Sequence, residues 1–383
     1  MAMPQALEHL RIVDFSRVLA GPLATMVLAD LGAEVIKVER PGLGDDTRAW
    51  GPPWDESGTA TYFHAVNRNK TSVALDLSSP EDLRRARQLV ADADVLVENF
   101  RPGVMEKFGL GFDQVRRENP AIVYCSITGF GAGKGASLPG YDLLVQALGG
   151  LMSITGSPEE PQKVGVALVD VICGLFASIG ILAALRHRDR TGEGQRVEVD
   201  LLSSLLAALV NQGAAYTIAG VVGQRLGSAH PSIAPYQVLH TGGGDLVVAV
   251  GTDGQFRALC EVLGCAELAE EADFATNGAR VANRVRLCSL LEAKLLKRTA
   301  AEWVPALSRA RVPAGELNDI QGAFALAEEL ELEPIVEVAG KDGAVRRLTR
   351  NPIRLSATPV VYRCAAPVLS DGDDPLHSTP LDR

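Results

Sequence analysis

Among the residue types able to do covalent or acid–base chemistry, one stands where a reason is required. Asp170 is the only charged side chain in the run Val164 to Leu185 (VGVALVDVICGLFASIGILAAL). A buried carboxylate is costly unless it is paired or hydrogen-bonded. Two readings fit. Asp170 caps a buried helix over Val171 to Leu185 by accepting its first amides. Alternatively, it is held at that helix's positive end, deprotonated and poorly solvated, and so serves as a nucleophile for acyl transfer. The segment by itself leaves both open.

Other reactive motifs fail on spacing. Gly129-Phe-Gly131-Ala-Gly133-Lys-Gly135 lacks the G-x-G-x-x-G spacing, and Gly135 follows Lys134 where a P-loop needs Ser or Thr. Such a loop instead lets backbone pass close to a ligand or another chain. No Gly-x-Ser-x-Gly elbow is present. The six cysteines form no C-x-x-C and read as reduced, and the six histidines show no metal-ligand spacing, so no metal is expected.

The elements that must position Asp170 follow from periodicity. Strands are expected at Leu10–Phe15, Glu34–Glu39, Thr71–Leu77, Asp94–Phe100 and Ile122–Thr128, with helices over Gly21–Leu31 and Ser79–Ala91 between them. Strands alternating with helices imply an α/β fold, a mostly parallel sheet covered on both faces. Helices over Asp142–Met152, the Asp170 segment and Leu201–Ala219 come next. The stretch Gly223–Tyr236 reads as a linker. It leads to a hairpin, Tyr236–His240 with Asp245–Gly251, and to helices over Asp253–Leu263, Val281–Leu296 and Ala300–Ala310. From Gly315 a helix (Ile320–Leu330) and two strands (Ile335–Val338, Val345–Leu348) resume the earlier habit. The expected organisation is a large Rossmann-like domain over 1–222, a small inserted α+β domain over 223–314, and a return to the large domain over 315–383.

Composition narrows the class. The 383 residues carry a net charge of −10, with 47% hydrophobic and 22% charged residues, which argues for a globular protein that binds no nucleic acid. The Val164–Leu185 run is long enough to span a bilayer, but its Asp and its small residues Gly165, Gly174, Ser178 and Gly180 read as a buried core helix, with no membrane partner. Met1–Leu10 has no signal or transit character, and the expected compartment is the cytoplasm.

Several blocks, in order, resemble the CaiB/BaiF family, the class III CoA-transferases. They are Asp14-Phe-Ser-Arg-Val-Leu-Ala-Gly-Pro22, Gly32-Ala-Glu-Val-Ile-Lys-Val-Glu-Arg-Pro41, Asn67-Arg-Asn-Lys70, Val97-Glu-Asn-Phe-Arg-Pro-Gly103, Ser126-Ile-Thr-Gly-Phe-Gly131 and Gly192-Glu-Gly-Gln195. Within the family the chain most resembles succinyl-CoA:glutarate CoA-transferases, through Gly44-Asp-Asp-Thr-Arg-Ala-Trp-Gly-Pro-Pro53, Gly150-Leu-Met-Ser-Ile-Thr-Gly156, Gly165-Val-Ala-Leu-Val-Asp170 and Gly227-Ser-Ala-His-Pro-Ser-Ile-Ala-Pro-Tyr-Gln237. Ala366–Arg383 fits the family poorly, and nothing functional is placed there.

The resemblance places Asp170 on the family's catalytic aspartate. It implies an aspartyl mixed anhydride and an enzyme–CoA thioester, with the coenzyme A thioester as a substrate and no cofactor. It also implies that Arg17, Arg40, Arg68, Lys70, Arg101 and Lys107 offer cations for CoA phosphates, that Val18, Leu19 and Ala20 line the thiol arm, and that Asn99 contacts the cofactor moiety. Leu19 stands where the formyl-CoA transferase branch has glutamine, which counts against oxalate or formate. Tyr141 replaces the histidine of the racemase branch and is expected to close over the acyl group. Arg48 and His230 are the candidates for a dicarboxylate's distal charge, while Arg280 and Arg284 read as structural. The family also implies an interlocked homodimer. The expected function is transfer of CoA from succinyl-CoA to a dicarboxylate such as glutarate. A 2-methylacyl-CoA racemase or isomerase and a non-catalytic acyl-CoA-binding protein are the alternatives.

Overall fold

Short runs of Val and Ile pair into a six-stranded sheet. The structure, a computed structural model, describes residues 4–370. Strands β1 (Arg11–Asp14), β2 (Glu34–Glu39), β3 (Lys70–Ala74), β4 (Val95–Glu98), β5 (Val123–Thr128) and β6 (Arg196–Asp200) lie in the order β3-β2-β1-β4-β5-β6. All neighbours are parallel. The order reverses between β1 and β4, the place where open α/β sheets bind ligands beyond their carboxyl ends. The sixth strand was not expected from sequence. It is a five-residue edge strand, RVEVD, that joins the sheet through its backbone register with β5.

The helices of this unit are α1 (Ala20–Asp30), α2 (Thr61–Ala65), α3 (Pro80–Ala91), α4 (Val104–Lys107), α5 (Phe112–Glu118), α6 (Asp142–Leu148) and α7 (Leu168–Thr191). Alternate strand residues Val13, Ile36, Val38 and Leu96 pack with Leu89 and Val90 of α3 and with Val115 of α5. The other face is covered by α1 on β1, β2 and β4, and by α7 on β5 and β6. By length and composition α7 could cross a bilayer, yet it packs against α1, β5, β6 and α8 (Leu201–Ala208). The helix expected over Leu201–Ala219 breaks at Leu209, and α9 (Val210–Ala219) runs on at a bend of 85°.

The chain divides into two compact units, at boundaries that differ from those read off the sequence. One comprises the chain up to Gly149, Val164–Gly213 and the part from Glu333; the other comprises Gly150–Lys163 and Ala214–Leu332. The expected cut at 222/223 falls earlier. Arg225 donates to the carbonyls of Ser157 and Pro158, and Gly227 N donates to Gly156 O, which ties Gly150–Lys163 and the expected linker to the second unit. The expected return at 315 falls later. Strand β7 (Tyr236–His240) pairs antiparallel with β8 (Asp245–Ala249), which in turn pairs with β9 (Ala314–Glu316). Helices α10 (Asp253–Leu263), α11 (Asn277–Ala282), α12 (Arg284–Leu295) and α13 (Ala300–Arg309) close a core around Phe256, Leu287, Leu291 and Trp303. Helix α14 (Ile320–Glu329) also belongs to this unit. Strands β10 (Ile335–Ala339) and β11 (Val345–Thr349) then form their own antiparallel pair. Residues 371–383 of the C-terminal stretch lie outside the described residues.

One close approach fixes α7. A Cβ added at Gly174 would lie 2.5 Å from the carbonyl oxygen of Ala20 at the start of α1. Backbone cannot yield as a side-chain tip can, so Gly174→Ala must push the helices apart. The expected cost is about 1–3 kcal/mol of stability, read from chemical denaturation. Catalytic rate should fall with it, because Asp170 lies one turn upstream on the displaced helix.

Candidate active site

Asp170 is the third residue of α7, whose N-cap is Ala167. The capping role considered for Asp170 therefore falls to another carboxylate. Asp142, first in α6, accepts from Val169 N at 2.8 Å and from Asp170 N at 3.3 Å. Its second oxygen accepts from the amide of buried Gln146 at 2.6 Å, and Gln146 in turn accepts from Val164 N. The α7 amides are thus satisfied by Asp142 and leave the Asp170 carboxylate unspent. Burial, with the Asp142 charge second, pushes the Asp170 carboxyl up to about 7. It is poorly solvated, as expected. Near neutral pH, however, only part of the population is deprotonated.

Asp170 opens into a cleft of about 100 Å3 whose walls include Ala20, Asn99, Arg101, Gly129 and Gly140. The glycine-rich loop passes close to itself there: a Cβ on Gly129 would meet the Cα of Gly140 at 2.4 Å. Only two glycines permit that crossing beside the carboxylate. Tyr62 of α2, not singled out from sequence, has its phenol pushed up to about 12 by burial and then by the charges of Asp170, Asp142 and Asp45. It stacks edge-on with Trp50 at 5.8 Å. Nothing in the local sequence TYFHA signals its place; the fold alone brings it within the field of Asp170.

A larger cavity, about 490 Å3, lies beyond the carboxyl ends of β1 to β4 and is walled by Phe15, Arg17, Arg40, Leu77, Phe100 and Phe108, among others. A carboxylate nucleophile candidate in one cleft and a mixed apolar and cationic cavity in the same unit are the parts an acyl-CoA enzyme needs.

The family model for CoA-transferase family III matches residues 7–374. The chain belongs to this family. It is 44% identical over 372 residues to the succinate–glutarate CoA-transferase of Agrobacterium fabrum, covering 95% of this chain and 93% of the relative. It is 43% identical over 334 residues to the succinyl-CoA:glutarate CoA-transferase of Mus musculus, covering 87% and 76%. A CaiB/BaiF family protein from Brucella suis superposes with a TM-score of 0.86 at 42% identity, covering 96% of this chain and 97% of that one.

Within this class III fold the expected site residues divide sharply. Arg101 lines the Asp170 cleft and is exposed, and among the described residues it forms no ion pair. Arg17 stacks over Phe100 at 4.8 Å and shares the larger cavity with Arg40, which pairs at the surface with Asp46. Ala20 lines the cleft, while Leu19 is buried at the start of α1. Lys107 is exposed at the end of α4.

Others are committed elsewhere, which corrects their expected roles. Arg68 forks onto Asp30 at 2.9 and 2.6 Å and donates to Thr349 O. Lys70 is buried against Asp14 at 3.1 Å, and burial pulls its ammonium down to about 8. Arg48 grips Glu39 at 2.8 and 2.7 Å, donates to Pro367 O and lies 3.8 Å over the Phe63 ring, so its fork is not open to a substrate carboxylate. Asn99 faces the cleft, but its amide holds both backbone groups of Arg17. His230 lies in the second unit, where its Nδ1 accepts from Ser232 N and its ring lies 5.3 Å from that of Tyr236. Tyr141 is 60% exposed and closes over nothing in this structure. Arg280 and Arg284 are structural, as expected: Arg280 is fully buried against Asp253, and Arg284 binds the carbonyl oxygens of His230 and Ile233.

The raised Asp170 pKa has a signed consequence. Between about pH 4 and 7 the folded chain keeps a proton that the unfolded chain releases, so this carboxyl lowers stability increasingly across that window. The shift from 3.8 to about 7 sets an upper bound of roughly 4 kcal/mol, and partial solvent access reduces it to about 1–2 kcal/mol. Asp170→Asn should therefore melt above wild type at pH 8, with the gain shrinking toward pH 4. A pH-independent gap in melting temperature would show that the Asp170 carboxyl is not raised.

Proposed function

We propose that this class III enzyme moves CoA from succinyl-CoA to a free dicarboxylate such as glutarate, with Asp170 as the nucleophile. The observation that carries the reading is the unspent Asp170 carboxylate, left free because Asp142 caps α7, in a cleft edged by the glycine crossing. The relatives named for succinate and glutarate support the choice of acids.

The steps follow from the group. The Asp170 oxygen attacks the thioester carbonyl and expels CoA thiolate, leaving a succinyl–aspartyl anhydride. The thiolate attacks the aspartyl carbonyl, releases succinate and forms an enzyme thioester. The acceptor carboxylate attacks that thioester, again expelling thiolate, which then attacks the acceptor's acyl carbon. Acyl-CoA leaves, and Asp170 regains its carboxylate. Anhydride and thioester are close in energy, so each step can reverse, whereas a serine ester would be a sink. No metal or organic cofactor enters this sequence. Arg17 and Arg40 offer charges for the CoA phosphates. Arg101 is the cation open to an anionic group beside Asp170, in place of Arg48.

A homodimer in the cytoplasm completes the proposal. Leu175, Phe176, Ile179 and Leu182 leave an apolar side of α7 exposed on the single chain, which suits a second copy interlocked with it. The six cysteines are all free, which suits a reducing compartment. The racemase alternative gains no support, since Tyr141 supplies no base in the cleft.

Two measurements test the reading. Incubation with succinyl-CoA and glutarate, itaconate or malate should yield the corresponding acyl-CoA by mass. Asp170→Ala should abolish transfer while CoA still binds. Because the carboxylate form attacks, kcat/KM should fall about tenfold for each pH unit below about 7. Substantial transfer by Asp170→Ala would reject the mechanism, and exchange of the α-proton without transfer would point to the racemase.

A second pair of variants separates binding from structure. Arg101→Ala should leave the melting temperature unchanged and raise KM by roughly tenfold or more, as expected for a lost charge-assisted hydrogen bond. Arg68→Ala should instead destabilise by about 3–5 kcal/mol, because it takes the paired cation from a buried Asp30 and leaves it only the amides of Asn69 and Asn351.

A further inference from the structure

The turn from Ser16 to Ala20 carries more restraints than a connection needs. Val18 has φ = 70°, a region in which a β-branched residue is strained. The residues around that angle are tied by side chains from elsewhere. Lys37 Nζ donates to Ser16 O at 2.9 Å, and Ser16 N donates to Asp14 at 2.9 Å. Asn99 accepts from Arg17 N at 2.9 Å and donates to Arg17 O at 2.8 Å. Val18 N donates to both oxygens of Asp45 at 3.3 Å, and Asp45 is itself buried and paired with Lys37 at 2.9 Å. The turn then opens α1, where Ala20 lines the Asp170 cleft and its carbonyl bears on Gly174.

A strained backbone angle persists only where its surroundings over-determine it. Glycine would take this angle without strain, yet the chain has valine and six side-chain bonds around it. We infer that the strained Val18 turn is a positioning element, held by Asn99 and Asp45, that fixes the Ala20 wall of the cleft against which Asp170 meets its acyl group. Asn99 and Asp45 are then positioning residues, acting through the backbone they hold. The inference rests on the reading that Asp170 attacks a thioester in this cleft.

Two substitutions in the full chain separate strain from side-chain contact. Val18→Ala keeps a Cβ, and with it the strain, while removing the methyl groups. Val18→Gly removes the strain as well. At an unstrained position Ala-to-Gly replacement lowers stability; here Val18→Gly should melt at or above Val18→Ala. Its kcat should nevertheless fall about tenfold or more below that of Val18→Ala, with KM for succinyl-CoA within about twofold, since small misplacements cost rate rather than binding. Asn99→Ala should show the same split.

Equal kcat values for the two Val18 variants would overturn the positioning role. A clearly lower melting temperature for Val18→Gly would overturn the strain. A loss confined to KM in Asn99→Ala would make Asn99 a substrate contact instead. A wild-type protein that transfers no CoA would reject the functional reading and the positioning role with it, whichever way the melting order falls.

Discussion

Two carboxylates meet the first turn of α7, and only one of them is bonded there. Asp142 takes the amides of Val169 and Asp170, so the positive end of the helix is satisfied without the Asp170 side chain. Asp170 keeps the cost of burial and the proximity of a like charge, and both push its pKa up. The consequence is a carboxylate with poor solvation and no local partner, which is the state a nucleophile requires. Were Asp170 itself the cap, its lone pairs would be spent on the helix.

The large unit bears a comparable cost around strands β1, β2 and β3. Asp14, Lys37, Asp45 and Lys70 are buried together. Burial raises Asp14, but the charges of Lys70 and Lys37, together with hydrogen bonds from Ser16 and Thr25, more than offset it and hold that carboxyl below its ordinary range. Such clusters are a weak source of stability, since desolvation consumes most of the attraction. Their service here is geometric: Lys37 holds Ser16, Asp45 holds Val18, and Glu39 holds both Arg48 and the Asp45 amide. Each fixes a turn at the end where the cleft opens.

Much of this was legible in the sequence, for identifiable reasons. Asp170 stood out because an apolar run isolates a charge. Helix α10 and strand β2 were read with their observed bounds because their periodicity is clean. The glycine-rich loop reads from sequence as letting backbone pass close to a ligand or another chain, whereas the close approach in the structure is between Gly129 and Gly140 of this chain. What failed depended on partners distant in the chain. Arg48 and Arg68 sit in matched blocks near strand ends, but only the fold shows that Glu39 and Asp30 consume them. Asp142 as cap is 28 residues from Asp170, whose amide is one of the two it accepts from. Edge strand β6 shows its place only through pairing with β5, and β9 joins the small unit because its register lies with β8.

The central claim is that Asp170 becomes covalently acylated and then thioesterified. It is tested most directly by mixing enzyme with succinyl-CoA, without acceptor, quenching with hydroxylamine and mapping the product by peptide mass spectrometry. The account predicts a hydroxamate on Asp170 alone, formed only when succinyl-CoA is present and lost in Asp170→Asn. Modification at Asp142, at a cysteine, or at no residue while turnover proceeds would contradict it.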